Sequence, residues 1–338
     1  MSNWYLQTGK DTDVVTSTRV RIARNLSSIP FVIKYNKTEA NKIISKINEV
    51  LPGLGHKLKL IKLKDIDDLT KMSLIEKHIL SPEFVLNKDD IGAILINEEE
   101  NICIMINEED HIRIQILSSG LDLENSLNLG IDIDEKLAKL LPYAYNSQYG
   151  FLTSCPTNVG TGLKVSVMVH LPALTETGNI RKVLEIANNF EMNIRGVYGE
   201  GTDAQGDMYQ ISNKSSIGIT EQEIIKNLNI IVEKIIEQER LARKYLTKNS
   251  IELEDKLYRA YGIISNARKL TTLESTKLLS SIKLGVDLGL ITELNDAKIK
   301  KLDLYTKPSN LQLYLGKKLD EYERNIERAN IVKTIIKE

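Results

Sequence analysis

The stretch IGAILINEEENICIMINEEDHIRIQIL, residues 91–117, decides the fold class. Two apolar runs, IGAILI (91–96) and ICIMI (102–106), flank the polar link Asn97-Glu-Glu-Glu-Asn101. Apolar runs joined by so short a polar link read as an antiparallel hairpin. IRIQIL (112–117) alternates along its length, as a strand does when one face meets a core and the other does not. Between the second and third of these strands lies Asn107-Glu-Glu-Asp-His-Ile-Arg113, which packs carboxylates, a histidine and an arginine into one turn.

Upstream, Ala40, Ile43, Ile44, Ile47 and Val50 fall on one helical face between Glu39 and Leu51, and Pro52-Gly53 is expected to stop that helix. Downstream, Leu121 to Leu141 reads as a helix, and a Gly/Pro/Thr-rich stretch (150–162) leads into the strand VSVMVHL (165–171). A helix near Ile180–Phe190 and strands near Ile194–Tyr198 and Met208–Ser212 follow. Thr220-Glu-Gln-Glu223 is a capping box opening a helix that carries Ile224, Ile225, Leu228, Ile231, Val232, Ile235 and Ile236. After Tyr245 glycine is sparse and helical patterns recur, with start signals at Thr271-Thr-Leu-Glu274, at Thr292 and at Ser309-Asn-Leu-Gln312. The pattern predicts an α+β catalytic domain over 1–245, with an antiparallel sheet flanked by helices, and a helical domain over 246–338.

Bulk properties exclude several classes. The 45 basic residues nearly cancel the 46 acidic ones, so no global charge argues for nucleic acid or an acidic membrane. The start of the chain lacks the basic-then-apolar pattern of a secretion signal, no run approaches a membrane span, and the two cysteines make no disulfide framework. A cytoplasmic protein is expected.

No Walker loop, kinase glycine loop or dinucleotide fingerprint is present. Instead, arginines sit beside glycines and carboxylates. In Ser17-Thr-Arg-Val-Arg21 an extended backbone places Arg19 and Arg21 on one side. The loop Thr153-Ser-Cys-Pro-Thr-Asn-Val-Gly-Thr-Gly-Leu-Lys164 ends in a cation, and Arg195-Gly-Val-Tyr-Gly-Glu-Gly-Thr202 ends a strand in a turn bearing Glu200. Phosphoryl transfer needs cations around phosphates, Mg²⁺, and a group that positions and deprotonates the nucleophile; this inventory suits it. Taken singly, each motif has a plainer explanation, such as a surface ion pair for STRVR or an acidic turn for NEED. Their conjunction and order change that.

The motifs STRVRIARN (17–25), NEEDHIRIQ (107–115), LTSCPTNVGTGL (152–163), KVSVMVHLP (164–172) and RGVYGEGTDAQGDMYQISNKSSIG (195–218) resemble the phosphagen (guanidino) kinase family. Within it, RGVYGEGT is similar to the form found in bacterial protein-arginine kinases, and the likeness spans essentially the whole chain, more weakly after about residue 240. The resemblance implies the family's glutamine-synthetase-like catalytic fold and the use of ATP with Mg²⁺. It implies a phosphate site at Arg19, Arg21, Arg113 and Arg195, with Lys164 where the family usually has arginine. Ser17, Thr18, Arg19, Val20 and Arg21, then Lys164, Val165, Ser166, Val167 and Met168, then Arg195, Gly196, Val197, Tyr198, Gly199 and Glu200 would line the nucleotide, with His78 as a further contact. Glu109 matches the family's catalytic base, and Glu200 a second carboxylate that holds the acceptor guanidinium. Cys155 matches a loop cysteine with a supporting role.

Small-substrate members carry a helical domain ahead of the catalytic one, whereas STRVR here begins sixteen residues in; a protein arginine is therefore the expected acceptor. The C-terminal domain is implied to support a homodimer and to bind phosphoarginine near Arg324 and Arg328, where Asn325 replaces an aspartate of the family pattern. The resemblance further implies an activator protein, a heat-shock repressor as a target and a Clp-type protease as the destination of marked proteins. A free-arginine kinase and a non-catalytic nucleotide- or phosphoarginine-binding adaptor are the alternatives.

Overall fold

In the computed structural model, which describes residues 3–32, 34, 36–88, 90–196 and 204–338, a single large sheet carries two chemically different faces. The strands and helices follow in the order β1 (Val15–Arg24), α1 (Lys37–Leu54), β2 (Lys59–Lys62), α2 (Asp68–Glu76), α3 (Pro82–Asn87), β3 (Ala93–Ile96), β4 (Ile102–Ile106), β5 (Ile112–Ser119) and α4 (Leu123–Ala138). Next come the short pair β6 (Tyr145–Asn146) and β7 (Gly150–Phe151), β8 (Leu163–His170), α5 (Pro172–Glu176), α6 (Ile180–Asn189), β9 (Met192–Gly196), β10 (Met208–Asn213) and α7 (Glu221–Leu246). The chain ends in α8 (Ser250–Asn266), α9 (Thr272–Asp287), α10 (Asp296–Tyr305), α11 (Pro308–Leu315) and α12 (Glu321–Lys337).

Eight strands form the sheet in the order β2-β3-β4-β5-β1-β8-β10-β9, with antiparallel neighbours throughout. Side chains alternate faces along a strand, so one residue type can serve the core and the next the opposite surface. Ile102, Ile104 and Ile106 of β4, Ile112, Ile114 and Ile116 of β5, Val20 and Ile22 of β1, and Val165, Val167 and Val169 of β8 pack with Ile43, Ile47, Leu127, Leu228 and Val232 of the helices. Burying a side chain of this size contributes about 1.5–3 kcal/mol, which fixes the register of every strand in the set. On the other face, Cys103 and Met105 join Trp4, Leu63, Ile79 and Phe84 in a separate apolar cluster, while the central strands present polar and charged side chains.

Residues 253–335 contribute a third cluster, including Leu257, Ile264, Ile282, Leu302, Leu311 and Val332. This helical region meets the sheet-bearing part through polar contacts that include two buried or partly buried clusters. The carboxylate of Glu76, at the end of α2, accepts the backbone N–H of Ser309 (2.8 Å) and Asn310 (2.9 Å), and Ser73 donates to Asn310 at 2.6 Å. On α9, Ser280 donates to Asp207 (2.6 Å) and lies 2.8 Å from the His170 ring.

Several boundaries depart from the sequence reading. Helix α1 runs through Pro52 and Gly53 and ends only at Gly55 (φ 72°), because Leu54 gains a fully buried seat in the core. Thr292 caps nothing; α10 opens at Asn295, whose side chain accepts the Lys298 N–H. Ser309 lies inside α11, since Pro308 takes the first helical position, where its missing N–H costs nothing. The capping box at Thr220 and the Thr271 cap are present as read.

Candidate active site

The polar face of the sheet builds the site by register. Arg19 stands opposite Ser166 on one neighbour and Leu117 on the other; two residues on, Arg21 stands opposite Lys164 and Gln115. Arg113 pairs with Ala23 across β5 and β1, and Arg195 pairs with Gln210 across β9 and β10. Four arginines and a lysine from four strands thus share one face. Arg19 donates to Ser166 (3.2 Å) and Gln210 (2.9 Å), so its fork is held rigid by neutral acceptors.

A cavity of roughly 1060 Å³ opens on this face. Ser17, Arg19, Arg21, Arg113, Arg195, Gly196, Met168, Glu109 and His78 line it, with Ile75, Leu80, Pro82 and Phe84 forming an apolar wall. A smaller cavity of roughly 160 Å³ adjoins it and is lined by Arg21, Glu109, Asp110, Arg113, Cys155, Thr157, Asn158 and Lys164. Glu109, Arg21 and Arg113 border both.

Strand parity divides the segments expected to line a nucleotide. The side chains of Thr18, Val20, Val165 and Val167 point to the helix-side face: Thr18 donates to the Gly120 carbonyl at 2.7 Å, and the valines are core residues. Their side chains take no part in the cavity, a correction that follows from the two-residue period of a strand. Val197, Tyr198, Gly199 and Glu200 lie outside the described residues. Lys164 donates to the Asn213 carbonyl and borders the smaller cavity only.

The electrostatics are lopsided. Burial, and then the Arg19 and Arg113 charges, push the Arg21 guanidinium well below its ordinary value, with Glu108 opposing them and Arg195 adding to them. Among the described residues the buried Nε of Arg21 has no hydrogen-bond partner. Arg113 pairs with Glu108 at 2.6 Å. Burial alone would raise the Glu108 carboxyl, but the Arg113 charge and hydrogen bonds from Arg113, Ser81 and the Glu109 backbone together hold it below the usual range. Glu109 moves the other way: burial first, then the charges of Asp110 and Glu108, raise its carboxyl despite Arg113 and Arg21.

The turn carrying Glu109 is closed by the Asn107 N–H donating to the His111 carbonyl at 3.0 Å. Asn107 itself has φ 65° and is fully buried. The His111 Nδ1 accepts the Leu26 N–H (3.0 Å), so its Nε2 is the protonated nitrogen and donates to the Pro30 carbonyl (2.9 Å). Burial lowers the imidazole's proton affinity and keeps that neutral tautomer.

His78 occupies the left-handed position after α2, with φ 60°. Gln115 anchors that corner by donating to the carbonyls of His78 (3.1 Å) and Ile79 (2.8 Å). A left-handed histidine is strained relative to glycine, and His78 lines the cavity wall from that position. Burial, then Lys307 and Arg19, lower its pKa, so the ring faces the cavity neutral.

Sequence reasoning did not single out Gln210, Gln115, Ser81, Glu76 or Asn25. Gln210 and Gln115 were visible as polar interruptions of apolar strands; the others depend on contacts between distant segments, for which a single sequence has no signal.

Arg324 and Arg328 lie on α12. Arg328 is 1% exposed, donating to the carbonyls of Thr306 (2.6 Å) and Leu270 (2.7 Å) and to the Asn325 side chain (2.7 Å). Arg324 donates to the Leu319 carbonyl at 2.8 Å.

Comparison with known proteins agrees with this geometry. Residues 39–242 match the family model of the ATP:guanido phosphotransferase C-terminal catalytic domain, and residues 250–338 match that of the protein-arginine kinase McsB C-terminal domain. The chain is 43% identical to a protein-arginine kinase of Bacillus licheniformis, over 100% of this chain and 94% of the relative, and 42% identical to that of Bacillus subtilis strain 168, over 98% and 93%. Among solved structures, a lombricine kinase superposes with a TM-score of 0.59 at 27% identity, over 69% of this chain and 68% of that one. The duplicated taurocyamine kinase from Schistosoma mansoni, with bound transition-state-analogue components, gives 0.62 at 27% identity, over 80% of this chain and 40% of that one. The polar-faced antiparallel sheet, the family matches on both parts of the chain and the full-length relatives agree: this chain belongs to the ATP:guanido phosphotransferase family, in its protein-arginine kinase branch.

Proposed function

We propose that this protein transfers the γ-phosphoryl group of ATP to the guanidinium of arginine residues in proteins, with Arg19, Arg21, Arg113, Arg195 and Lys164 holding phosphate and Glu109 acting as base. The observation that carries this reading is the junction of the two cavities, where Glu109 stands beside a self-repelling cluster of guanidinium groups centred on Arg21. A polyphosphate supplies the negative charge that such a cluster is built to meet, and arginine forks match phosphate oxygens bidentately. The apolar wall of Ile75, Leu80 and Phe84 and the neutral His78 suit a nucleoside at the far end of the larger cavity. Glu200 is proposed as the second acceptor carboxylate on the strength of the family motif.

In the proposed step the guanidinium nitrogen attacks the γ-phosphorus. A P–N bond forms as the bond to the β–γ bridging oxygen breaks, the electron pair leaves with ADP, and the proton released by nitrogen passes to the Glu109 carboxylate. The raised proton affinity of Glu109 suits it to accept that proton. Arginines on the phosphate side counter the charge spreading over the migrating group. Mg²⁺ is proposed to arrive with the nucleotide and neutralise phosphate charge, because magnesium is commonly bound through substrate phosphates and retained waters.

The proposal extends to the setting implied by family resemblance: a cytoplasmic homodimer, an activator protein, a heat-shock repressor among the targets and a Clp-type protease downstream. The division at about residue 246, with the second part serving dimerisation and phosphoarginine binding near Arg324, belongs to the same reading, the buried Arg328 supporting that face from within. The lack of any described helix long and apolar enough to cross a membrane is compatible with it.

The test is incubation with Mg-ATP and an unfolded arginine-rich protein, reading acid-labile phosphate and its site by mass spectrometry. Phosphoarginine on protein that disappears in Glu109→Ala is the expected result. Label confined to free arginine would replace the protein acceptor with a small guanidine, and no label even with an activator supplied would leave a binding adaptor.

A further inference from the structure

Asn25 is 1% exposed at the end of the first arginine-bearing strand, and every polar atom of its side chain is engaged. Its Oδ1 accepts the backbone N–H of His111 at 2.9 Å. Its Nδ2 donates to Asp110 Oδ1 at 2.6 Å and to the Leu152 carbonyl at 3.2 Å. The same Asp110 oxygen accepts the Ser154 N–H at 2.6 Å, and Asp110 is itself 1% exposed. One amide therefore joins three segments distant in sequence: the end of β1, the 107–111 turn and the 152–155 loop.

Glu109 sits between two anchors in that turn. On its N-terminal side the Glu109 N–H donates to the Glu108 carboxylate at 2.8 Å, and that carboxylate is tied to Arg113 and Ser81. On its C-terminal side, Asp110 and His111 are both bound to Asn25. The backbone of Glu109 is thus fixed from both directions, and among the residues of this turn Glu109 is the one that borders both cavities.

We propose that Asn25 is a positioning residue for the Glu109 carboxylate, holding the acidic turn against the 152–155 loop so that the base stands at the junction of the two cavities. This rests on the function proposed above and adds to it a residue that touches neither nucleotide nor acceptor, since Asn25 borders neither cavity. The physical stake is placement: a shift of the order of 1 Å in a catalytic group costs about 10²-fold in rate.

The full chain would be compared as wild type, Asn25→Ala, Asp110→Ala and Asp110→Asn. Measurements are phosphoarginine formation with Mg-ATP and an unfolded arginine-rich protein, ATP affinity without acceptor, and hydrogen exchange of segments 107–115 and 152–158. Asn25→Ala is expected to lower kcat about 10²-fold, to leave the ATP dissociation constant within about threefold, and to speed exchange in both segments. Asp110→Ala should behave alike, because it removes the shared acceptor. Asp110→Asn keeps an oxygen in place for both N–H donors and should recover much of the loss, which a general loss of folding would not show. Undiminished kcat in Asn25→Ala, or a fall in kcat matched by an equal loss of ATP affinity, overturns the inference. A wild-type chain that binds ATP but makes no phosphoarginine overturns the proposed function and this inference with it, so the two failures are told apart.

Discussion

The carboxylate of Glu76 caps helix α11 across the boundary between the sheet and the C-terminal helices, accepting the Ser309 N–H at 2.8 Å and 3.1 Å on its two oxygens. Glu76 also lines the larger cavity, two residues before His78. A carboxylate at a helix N-terminus meets unpaired N–H groups and the positive end of the helix dipole. Glu76→Ala is expected to lower stability by about 0.5–2 kcal/mol, the usual range for a lost cap, read as a fall in melting temperature. It should also weaken ATP binding, because the wall carrying Ile75 and His78 loses its brace. A fall in melting temperature with intact ATP affinity would mean that the cap serves the fold alone.

Arg21 gives a prediction of opposite sign for stability and function. Its guanidinium is largely buried among like charges, and its Nε has no partner among the described residues. Removing such a charge relieves desolvation and repulsion that the nucleotide-free protein must bear. Arg21→Met is expected to raise the melting temperature of the nucleotide-free protein, by an amount on the order of 1–4 kcal/mol of stability. The added stability that saturating ATP confers on wild type should shrink or vanish, since a ligand stabilises only the state that binds it. Thermal scans with and without ATP read both effects, and a destabilised variant would show that Arg21 is a structural cation.

Glu109 sets the expected pH dependence. Its carboxyl is raised by burial, then by Asp110 and Glu108, so the base is deprotonated only above a pKa higher than an ordinary glutamate's. Activity should fall as pH drops through that raised value, and the acidic limb of kcat should report it. The sign for stability is the reverse. A group whose folded pKa is raised contributes stability below its unfolded pKa and loses it as pH rises through the folded one. Above its raised pKa the ionised Glu109 therefore weighs against folding, and in that range Glu109→Gln should be more stable than wild type while losing about 10²–10⁴-fold in rate. An acidic limb at the position of an unperturbed carboxylate would remove Glu109 from the role of base.

How much of this was legible beforehand follows from period and distance. Ile102 to Ile106 declares itself as a strand by a short apolar run buried on both faces, Ile112 to Leu117 and Val165 to Val169 by β-branched residues recurring every second position, and the same two-residue period puts Arg19 and Arg21 together on the face away from the helices. The alternation also shows why Val20, Val165 and Val167 fall away from the cavity, a division missed when whole segments were assigned to the nucleotide. The wall formed by Glu76, His78 and Ser81 was harder to see. It is built from short helices, of six and nine residues, whose apolar spacing is too brief to show a period. Asn25 meets Asp110 across 85 positions, and only the assembled sheet register brings them together.

The two thiols are expected to separate cleanly. Cys103 lies on β4 with no exposed surface, and burial pushes its thiol up to about 12, so it is both shielded and protonated at neutral pH. Cys155 is partly exposed, with its Sγ 3.1 Å from the Thr157 hydroxyl, and it borders the smaller cavity beside Glu109. A thiol-specific reagent should therefore modify one cysteine in the native protein and both after denaturation, since the thiolate is the reactive form and access is required. Peptide mapping should place the native label at Cys155. A bulky adduct there should block phosphorylation of a protein acceptor while ATP still binds, because Cys155 borders the small cavity and not the large one. Loss of ATP binding on labelling would mean that the two cavities do not divide acceptor from nucleotide. Cys155→Ser then separates steric block from chemistry: retained activity in that variant, together with inactivation of wild type by the adduct, is the outcome expected of a thiol that flanks the acceptor without taking part in the transfer.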